Sequence, residues 1–292
     1  MKGIILAGGK GTRLYPLTLV TSKMLLPVYD KPMIYYPLSV LMQAGIRDIL
    51  IITTDQDLPR MQQLLGDGSA FGIKLTYMIQ CVPRGISDAF LIAEDFIGND
   101  ACTLILGDNI FYGKDLKNYL LDSVKRAEED KEATIYGYLV KDPERFGIVE
   151  LDENGKAISI EEKPTHPKSN YCVTGLYFYP AGVAKCAKEL TPSKRGELEI
   201  TDLNNIYLKN NNLYVQKLPR DYYWMDAGTH DSLVEASNTI KELEAKLGYK
   251  ICCPEEICYL SGWISKDALL KRAEEMQNNQ YGKYLMSVVK NN

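Results

Sequence analysis

Lys2-Gly-Ile-Ile-Leu-Ala-Gly-Gly-Lys-Gly-Thr-Arg-Leu14, followed by Pro16-Leu-Thr18 and Ser22-Lys-Met-Leu-Leu-Pro27, opens the chain. The unbroken apolar run before Gly8 reads as a strand buried on both faces rather than on one. Glycines that follow such a strand let the main chain approach phosphate oxygens and aim N–H groups at them. Thr12 adds a hydroxyl donor, and Arg13 a planar guanidinium fork suited to phosphate. A Walker loop requires Ser or Thr after Gly-Lys, whereas Gly11 follows Gly9-Lys10 here. A dinucleotide fingerprint requires Gly or Ala where Leu14 stands, which argues against hydride chemistry. An isolated Gly-Gly-x-Gly is more readily a plain turn; the attached Arg13 and Ser22-Lys23 reverse the balance in favour of an anion cradle.

The same rhythm continues outward. Spacing predicts a helix over about 34–44 stopped by Gly45, and a buried strand over 48–54. A helix over 58–65 ended by Gly66 and a strand over 74–79 follow. A helix over 87–96, a strand over 101–106, a helix over 116–129 and a strand over 133–140 complete the alternation. Continuous apolar strands alternating with helices predict a mostly parallel sheet covered on both faces. Then the pattern changes: 147–151 and 156–161 alternate around Glu153-Asn154-Gly155, a hairpin signal. Another strand is expected at 173–179, helices at 181–190 and 201–209, and a strand at 213–218. Residues 230–247, 254–260, 265–277 and 280–289 read as helices. The expected organisation is an α/β domain over 1–240 with an inserted hairpin region, and a helical C-terminal appendage over 241–292.

Composition narrows the function. Of 292 residues, 46% are hydrophobic and 25% charged, ordinary for a globular chain. No apolar run reaches the roughly 18–20 residues of a membrane helix, and no secretory leader pattern opens the chain. The net charge of −4 excludes general attraction to nucleic acid. Yet Lys2, Lys10, Arg13, Lys23 and Lys31 face one acid, Asp30, in the first 31 residues, so an anion is expected there. Seven cysteines, odd in number and mostly in apolar stretches, suggest reduced thiols in a cytosol. Cys252, Cys253 and Cys258 form no CxxC pair and read as core rather than zinc ligands.

With further segments, the chain resembles the sugar-1-phosphate nucleotidyltransferases, and among them the glucose-1-phosphate thymidylyltransferases. The segments are Val28-Tyr-Asp-Lys-Pro-Met-Ile-Tyr-Tyr-Pro-Leu38, Leu106-Gly-Asp-Asn109, Glu161-Glu-Lys-Pro164, Val173-Thr-Gly-Leu-Tyr177 and Trp224-Met-Asp-Ala-Gly-Thr-His230, with Tyr281-Gly-Lys-Tyr-Leu285 near the end. The resemblance spans essentially the whole length. It implies a Rossmann-like nucleotide-diphospho-sugar transferase fold, with a nucleotide part over about 1–110 and a sugar part over about 140–228. It implies that dTTP and α-D-glucose 1-phosphate yield dTDP-glucose and pyrophosphate, opening dTDP-rhamnose or deoxysugar biosynthesis in the cytoplasm. It also implies a homotetramer with an end-product nucleotide sugar bound between subunits.

That reaction needs two repelling anions positioned, with charge stabilised on the transferred group. Asp108 follows an apolar strand and a glycine, at the strand edge where α/β sheets bind ligands. Read alone, Asp108 and Asp226 are each as compatible with a turn or a helix cap. The resemblance makes them ligands of Mg2+ and adds Arg13, Lys23 and Lys163 to the catalytic set. It assigns Leu6, Gly8, Gly9, Gly11, Thr12, Met24, Gln80 and Gly85 to the nucleotide. It assigns Asn109, Gly147, Glu162, Lys163, Val173 and Trp224 to the sugar phosphate. Lys163, just before Pro164, is expected in extended backbone aimed into a cleft. Relatives carry Gln-Pro-x-Pro-x-Gly-Leu-Ala-Gln against the base; here Cys81, Ser87 and Asp88 depart, as does Met24 beside Lys23. These departures leave open another nucleotide such as UTP or another hexose 1-phosphate. The further alternative, a non-catalytic sugar-nucleotide sensor, is disfavoured because Arg13, Lys23, Asp108, Lys163 and Asp226 are all present.

Overall fold

Ile4 and Ile5 are both fully buried, and they belong to cores on opposite faces of one sheet. The computed structural model describes residues 1–291. The chain starts with β1 (Lys2–Leu6), a short antiparallel pair β2 (Pro27–Val28) and β3 (Lys31–Pro32), α1 (Tyr35–Gln43), β4 (Asp48–Thr53), α2 (Leu58–Leu65) and β5 (Lys74–Ile79). It continues through α3 (Asp88–Ile92), α4 (Glu94–Ile97), β6 (Cys102–Leu106), β7 (Asn109–Tyr112), α5 (Leu116–Lys125) and β8 (Ala133–Leu139). Next come β9 (Gly147–Leu151), β10 (Ala157–Glu162), β11 (Tyr171–Tyr179), α6 (Val183–Lys188), α7 (Ile200–Lys209), β12 (Leu213–Lys217) and β13 (Tyr223–Asp226). Four helices close the chain: α8 (His230–Leu247), α9 (Pro254–Leu260), α10 (Lys266–Glu275) and α11 (Gln280–Asn291).

Nine strands form the central sheet in the order β10-β9-β11-β6-β1-β4-β5, with β8 joined to β11 and β12 to β8. β6, β1, β4 and β5 are parallel neighbours, and β8, β9 and β12 share their direction; β10 and β11 run against them. The mostly parallel α/β sheet expected from the alternation is therefore observed. After β1 the chain first builds one side of the sheet (β4, β5) and then crosses to the other (β6). That reversal opens a crevice beyond the strand ends, where such sheets bind ligands.

Two expected helices are interrupted. The helix over 87–96 is divided at Ala93 (φ −89°, ψ 6°) into α3 and α4. The helix over 116–129 widens after Lys125 into a π turn over Arg126–Asp130, closed by left-handed Lys131. There the Arg126 guanidinium lies 3.8 Å over the Tyr214 ring and pairs with Glu132 at 3.0 Å, so tertiary contacts override the helical register. In the antiparallel ribbon of β7 and β13, four residues each, the sequence shows an aromatic-rich strand before Asp226 but neither β7 nor the pairing. Strands this short carry too few residues to show a period.

The C-terminal helices have a small core of their own around Cys253, Leu269, Leu285 and Val288. A buried ion network ties them to the chain beyond the glycine-rich loop. Lys31 Nζ lies 2.6 Å from Asp30 and 2.9 Å from Glu244 of α8, and Glu244 also takes Lys250 Nζ at 3.2 Å and the Ile251 N–H at 2.9 Å. The Lys31 side chain is 1% exposed and that of Glu244 8%. Removing Lys31 leaves Asp30 and Glu244 to share the single charge of Lys250, so the cost is that of lost charged hydrogen bonds, about 1.5–3 kcal/mol, rather than of a stranded ion. Lys31→Ala is expected to lower the unfolding free energy by about that amount in urea titration. A change below about 1 kcal/mol would show that the network contributes no tether.

Candidate functional site

Because β1 and β6 are parallel neighbours with Leu6 opposite Leu106, the glycine loop and Gly107-Asp108 leave the sheet side by side. The Gly107 N–H donates to the Leu6 carbonyl at 3.0 Å. A Cβ on Gly107 would sit 2.6 Å from the Met24 sulfur, so a larger residue in this turn would displace the Met24 side chain. The β7–β13 ribbon places Asp226 opposite Asn109, and the Ala227 N–H donates to the Asp108 carbonyl at 3.0 Å. Two aspartates far apart in sequence thus meet at the mouth of one cleft of about 350 Å3. Arg13, Lys23, Asp108 and Asp226 line that cleft together with Glu162 and Lys163.

The charges there are strongly coupled. Lys23 Nζ contacts Asp108 Oδ2. Burial pushes the Asp108 carboxyl up, but the Lys23 charge and hydrogen bond outweigh it and hold the group below the usual range. Asp226 goes the other way, raised by burial and then by the negative charge of Asp108. Two hard carboxylates with like-charge repulsion fit a divalent cation well, since the cation removes the repulsion. Among the described residues no group of three or more His, Cys, Asp or Glu side chains is poised to hold a metal. A two-carboxylate donor set matches Mg2+, which keeps few protein ligands and takes phosphate oxygens for the rest.

Gly228 explains the approach of Arg13. A Cβ built there lies 2.8 Å from Arg13 Nη2 and 2.9 Å from Asp226 Oδ1. Gly228→Ala therefore displaces both side chains. A misplacement of about 1 Å at reacting groups lowers rate by up to about 100-fold. The variant is expected to lose activity at least about tenfold with little change in Tm, measured by steady-state assay and thermal melt; retained activity would show that neither side chain needs its present position.

Asn109 organises the far wall of the cleft. Its Oδ1 accepts from Trp224 Nε1 at 2.7 Å and from the Gly175 N–H at 3.1 Å, which orients its amide to donate to Asp108 Oδ1 at 3.3 Å. Glu162 Oε2 accepts from the Thr201 hydroxyl at 2.7 Å, and a Cβ on Gly147 would come within 3.2 Å of both oxygens. Gly147, Val173 and Trp224 line the cleft as expected. Lys163 lines it too, but in left-handed rather than extended backbone (φ 45°). Its N–H donates to the Phe146 carbonyl at 3.0 Å, bending the chain at the end of β10 against the preference of a residue before proline.

On the other side, Leu6, Gly8, Gly9, Gln80 and Gly85 line an adjoining recess of about 320 Å3. Gly85 (φ 101°) has no room for a side chain, because a Cβ would lie 2.5 Å from the Leu198 carbonyl oxygen. Gly11 is left-handed and its carbonyl accepts the Thr18 hydroxyl at 2.7 Å; it shapes the loop. Thr12 is exposed and Met24 lies 1% exposed in the core, and neither lines these cavities. Met24 thus packs under Gly107 instead of reaching a phosphate or base. The sequence reading missed Arg145, Gly175, Tyr177 and Thr201 in the cleft, and Arg195 beside Glu162. No motif marks Arg145 or Arg195, whereas Gly175 and Tyr177 stood inside a quoted segment.

The profile of the nucleotidyl transferase family matches residues 2–242. A glucose-1-phosphate thymidylyltransferase of Neisseria meningitidis is 54% identical over 290 residues, covering 99% of this chain and all of that one. One from Mycobacterium tuberculosis is 48% identical over 292 residues, covering both chains fully. A solved structure from Bacillus anthracis, designated a glucose-1-phosphate thymidylyltransferase, superposes with a TM-score of 0.75 at 47% identity, over 82% of this chain and 94% of that one. UDP-glucose pyrophosphorylase in complex with UDP-glucose gives a TM-score of 0.71 at 24% identity, over 82% and 98%, a likeness of fold alone.

Proposed function

The chain belongs to the nucleotidyl transferase family, in its glucose-1-phosphate thymidylyltransferase branch, and we propose that its cleft divides that reaction among the residues gathered there. It is an enzyme of nucleotide-sugar formation: dTTP and α-D-glucose 1-phosphate yield dTDP-glucose and pyrophosphate. A phosphate oxygen of the sugar attacks the α-phosphorus of dTTP, and the bond to the β-phosphate breaks as pyrophosphate leaves. The observation that carries the assignment is Asp108 beside Asp226 within reach of Lys23 and Arg13, with Lys163 in the same cleft.

The glycine loop and Arg13 hold the triphosphate, and Lys23 pairs with the phosphate oxygens next to Asp108. Lys163 binds the sugar phosphate, while Glu162, fixed by Thr201, accepts from sugar hydroxyls. The family generally uses a divalent metal; Asp108 and Asp226 would hold Mg2+, which neutralises charge on the α-phosphate when bound. Because a sugar phosphate is already ionised at neutral pH, no side chain need serve as general base. A pyrophosphate-release assay crossing dTTP, UTP, ATP and GTP with several hexose 1-phosphates tests the reading. The dTTP and glucose 1-phosphate pair should turn over fastest; no turnover with any pair in Mg2+ overturns it.

Residues 1–240 carry catalysis in this reading, and the 241–292 helices form a subunit interface of a homotetramer with an end-product site. Light scattering at a tetramer's mass supports it, and a monomer refutes it. No described helix is long and apolar enough to cross a membrane. A cytoplasmic place agrees with seven free cysteines.

A further inference from the structure

Gln80 ends at a point where the main chain is already fixed, since its N–H donates to the Thr53 carbonyl at 2.8 Å. Its side-chain amide could in principle face the cleft with either its oxygen or its nitrogen. Asp88 decides which. This residue is 1% exposed, and both of its oxygens are engaged: Oδ1 accepts from Arg84 Nη2 at 2.7 Å, and Oδ2 from Gln80 Nε2 at 3.2 Å. A carboxylate paired with a guanidinium can only accept, so the group facing it must be the amide nitrogen. The amide oxygen is therefore turned the other way. It lies over Gly8, close enough that a Cβ on Gly8 would come within 2.7 Å of it, and Gln80 with Gly8 lines the recess beside the catalytic cleft.

We infer that Asp88 is a positioning residue for nucleobase choice: it locks Gln80 so that the recess presents a hydrogen-bond acceptor, which selects a base whose ring nitrogen carries a proton. Thymine and uracil present N3–H and satisfy that acceptor. Cytosine presents a lone pair at N3 and opposes it. The inference rests on the reading of this recess as the nucleotide site. It gives a physical role to a buried carboxylate that no catalytic step uses.

Asp88→Asn tests it sharply. Arg84 can only donate, so it claims the new amide oxygen and leaves the Asn nitrogen facing Gln80. Gln80 must then turn its own oxygen inward and present its nitrogen to the base, reversing the code. The experiment measures kcat/KM for dTTP, dUTP and dCTP with glucose 1-phosphate. In Asp88→Asn the dTTP:dCTP ratio is expected to fall at least about tenfold, the scale of one mismatched buried hydrogen bond. The dTTP:dUTP ratio, set by a methyl group that Gln80 does not read, is expected to stay within about twofold. Asp88→Ala, which frees Gln80 without reversing it, is expected to give a smaller fall and stands in if the Asn variant folds poorly. A merely structural role lowers all three nucleotides together and leaves both ratios unchanged, and that result overturns the inference. Gln80→Ala separates the two levels. If it shifts the dTTP:dCTP ratio while the Asp88 variants do not, the inference fails and the nucleotide site stands. If Gln80→Ala also leaves the ratio unchanged, the base reading fails and the inference falls with it.

Discussion

Asp226→Asn is expected to reduce turnover by about a thousandfold or more while leaving the metal-free protein at least as stable as the parent. The two halves of this prediction have one cause. Asp226 is largely buried next to Asp108, and both burial and that negative charge raise its carboxyl above the ordinary 3.8. A raised carboxyl binds its proton more tightly in the folded chain than in the unfolded one. The resulting penalty is absent below the unfolded value, grows as pH rises between the unfolded and folded values, and is fully present above the latter. Asparagine removes the ionisation and so removes the penalty at neutral pH. Catalysis needs what stability does not, because the second carboxylate is what would complete a cation site at the α-phosphorus. Losing one such stabiliser costs about 100- to 1000-fold, and more when a metal is lost with it. The measurements are kcat with dTTP and glucose 1-phosphate, and thermal melts without metal at pH 5 and 8. A near-parental rate removes Asp226 from the mechanism; a clear loss of Tm at pH 8 contradicts the electrostatics.

Arg13→Ala should lower kcat/KM by about 100- to 1000-fold, with KM for dTTP carrying part of the loss. Arg13 is exposed, ends no core packing, and sits in a short 310 turn between left-handed Gly11 and Tyr15, so the fold has little stake in its side chain. Its guanidinium lies above Gly228, beside Asp226, where it is placed to meet triphosphate oxygens. Arg13→Lys keeps the charge but not the fork and should recover only part of the activity. Unchanged kinetics in Arg13→Ala would move the triphosphate elsewhere.

Much of this arrangement was legible in the sequence, for physical reasons. β1, β4 and β6 are buried on both faces, so each wrote a largely apolar run, whereas β5 at the sheet edge is only partly buried and carries Lys74 and Thr76. The glycines that end helices marked their own boundaries. Gly8, Lys23 and Asp108 stood out because loops at strand ends carry function while the strands are constrained by packing, whereas Lys163 was indicated by the family resemblance alone. What stayed hidden was pairing. Nothing in Asn109–Tyr112 or Tyr223–Asp226 announces a partner, yet that ribbon alone brings Asp226 to Asp108. Arg145 and Thr201 reach the cleft from separate segments without a motif, and Met24, adjacent to Lys23, turns inward because successive side chains of a 310 turn are rotated by about 120°. The left-handed bend at Lys163 comes from a hydrogen bond to Phe146, a contact that residues before proline do not advertise.

The central claim is a single direct transfer, with the sugar phosphate attacking dTTP in line in the cleft between Arg13, Asp108, Asp226 and Lys163. The stereochemical course of the reaction with dTTP carrying one sulfur on its chiral α-phosphorus measures that most directly. The account predicts dTDP-glucose with inverted configuration at that phosphorus. Retention, which requires two displacements and a nucleotidylated enzyme, would contradict it.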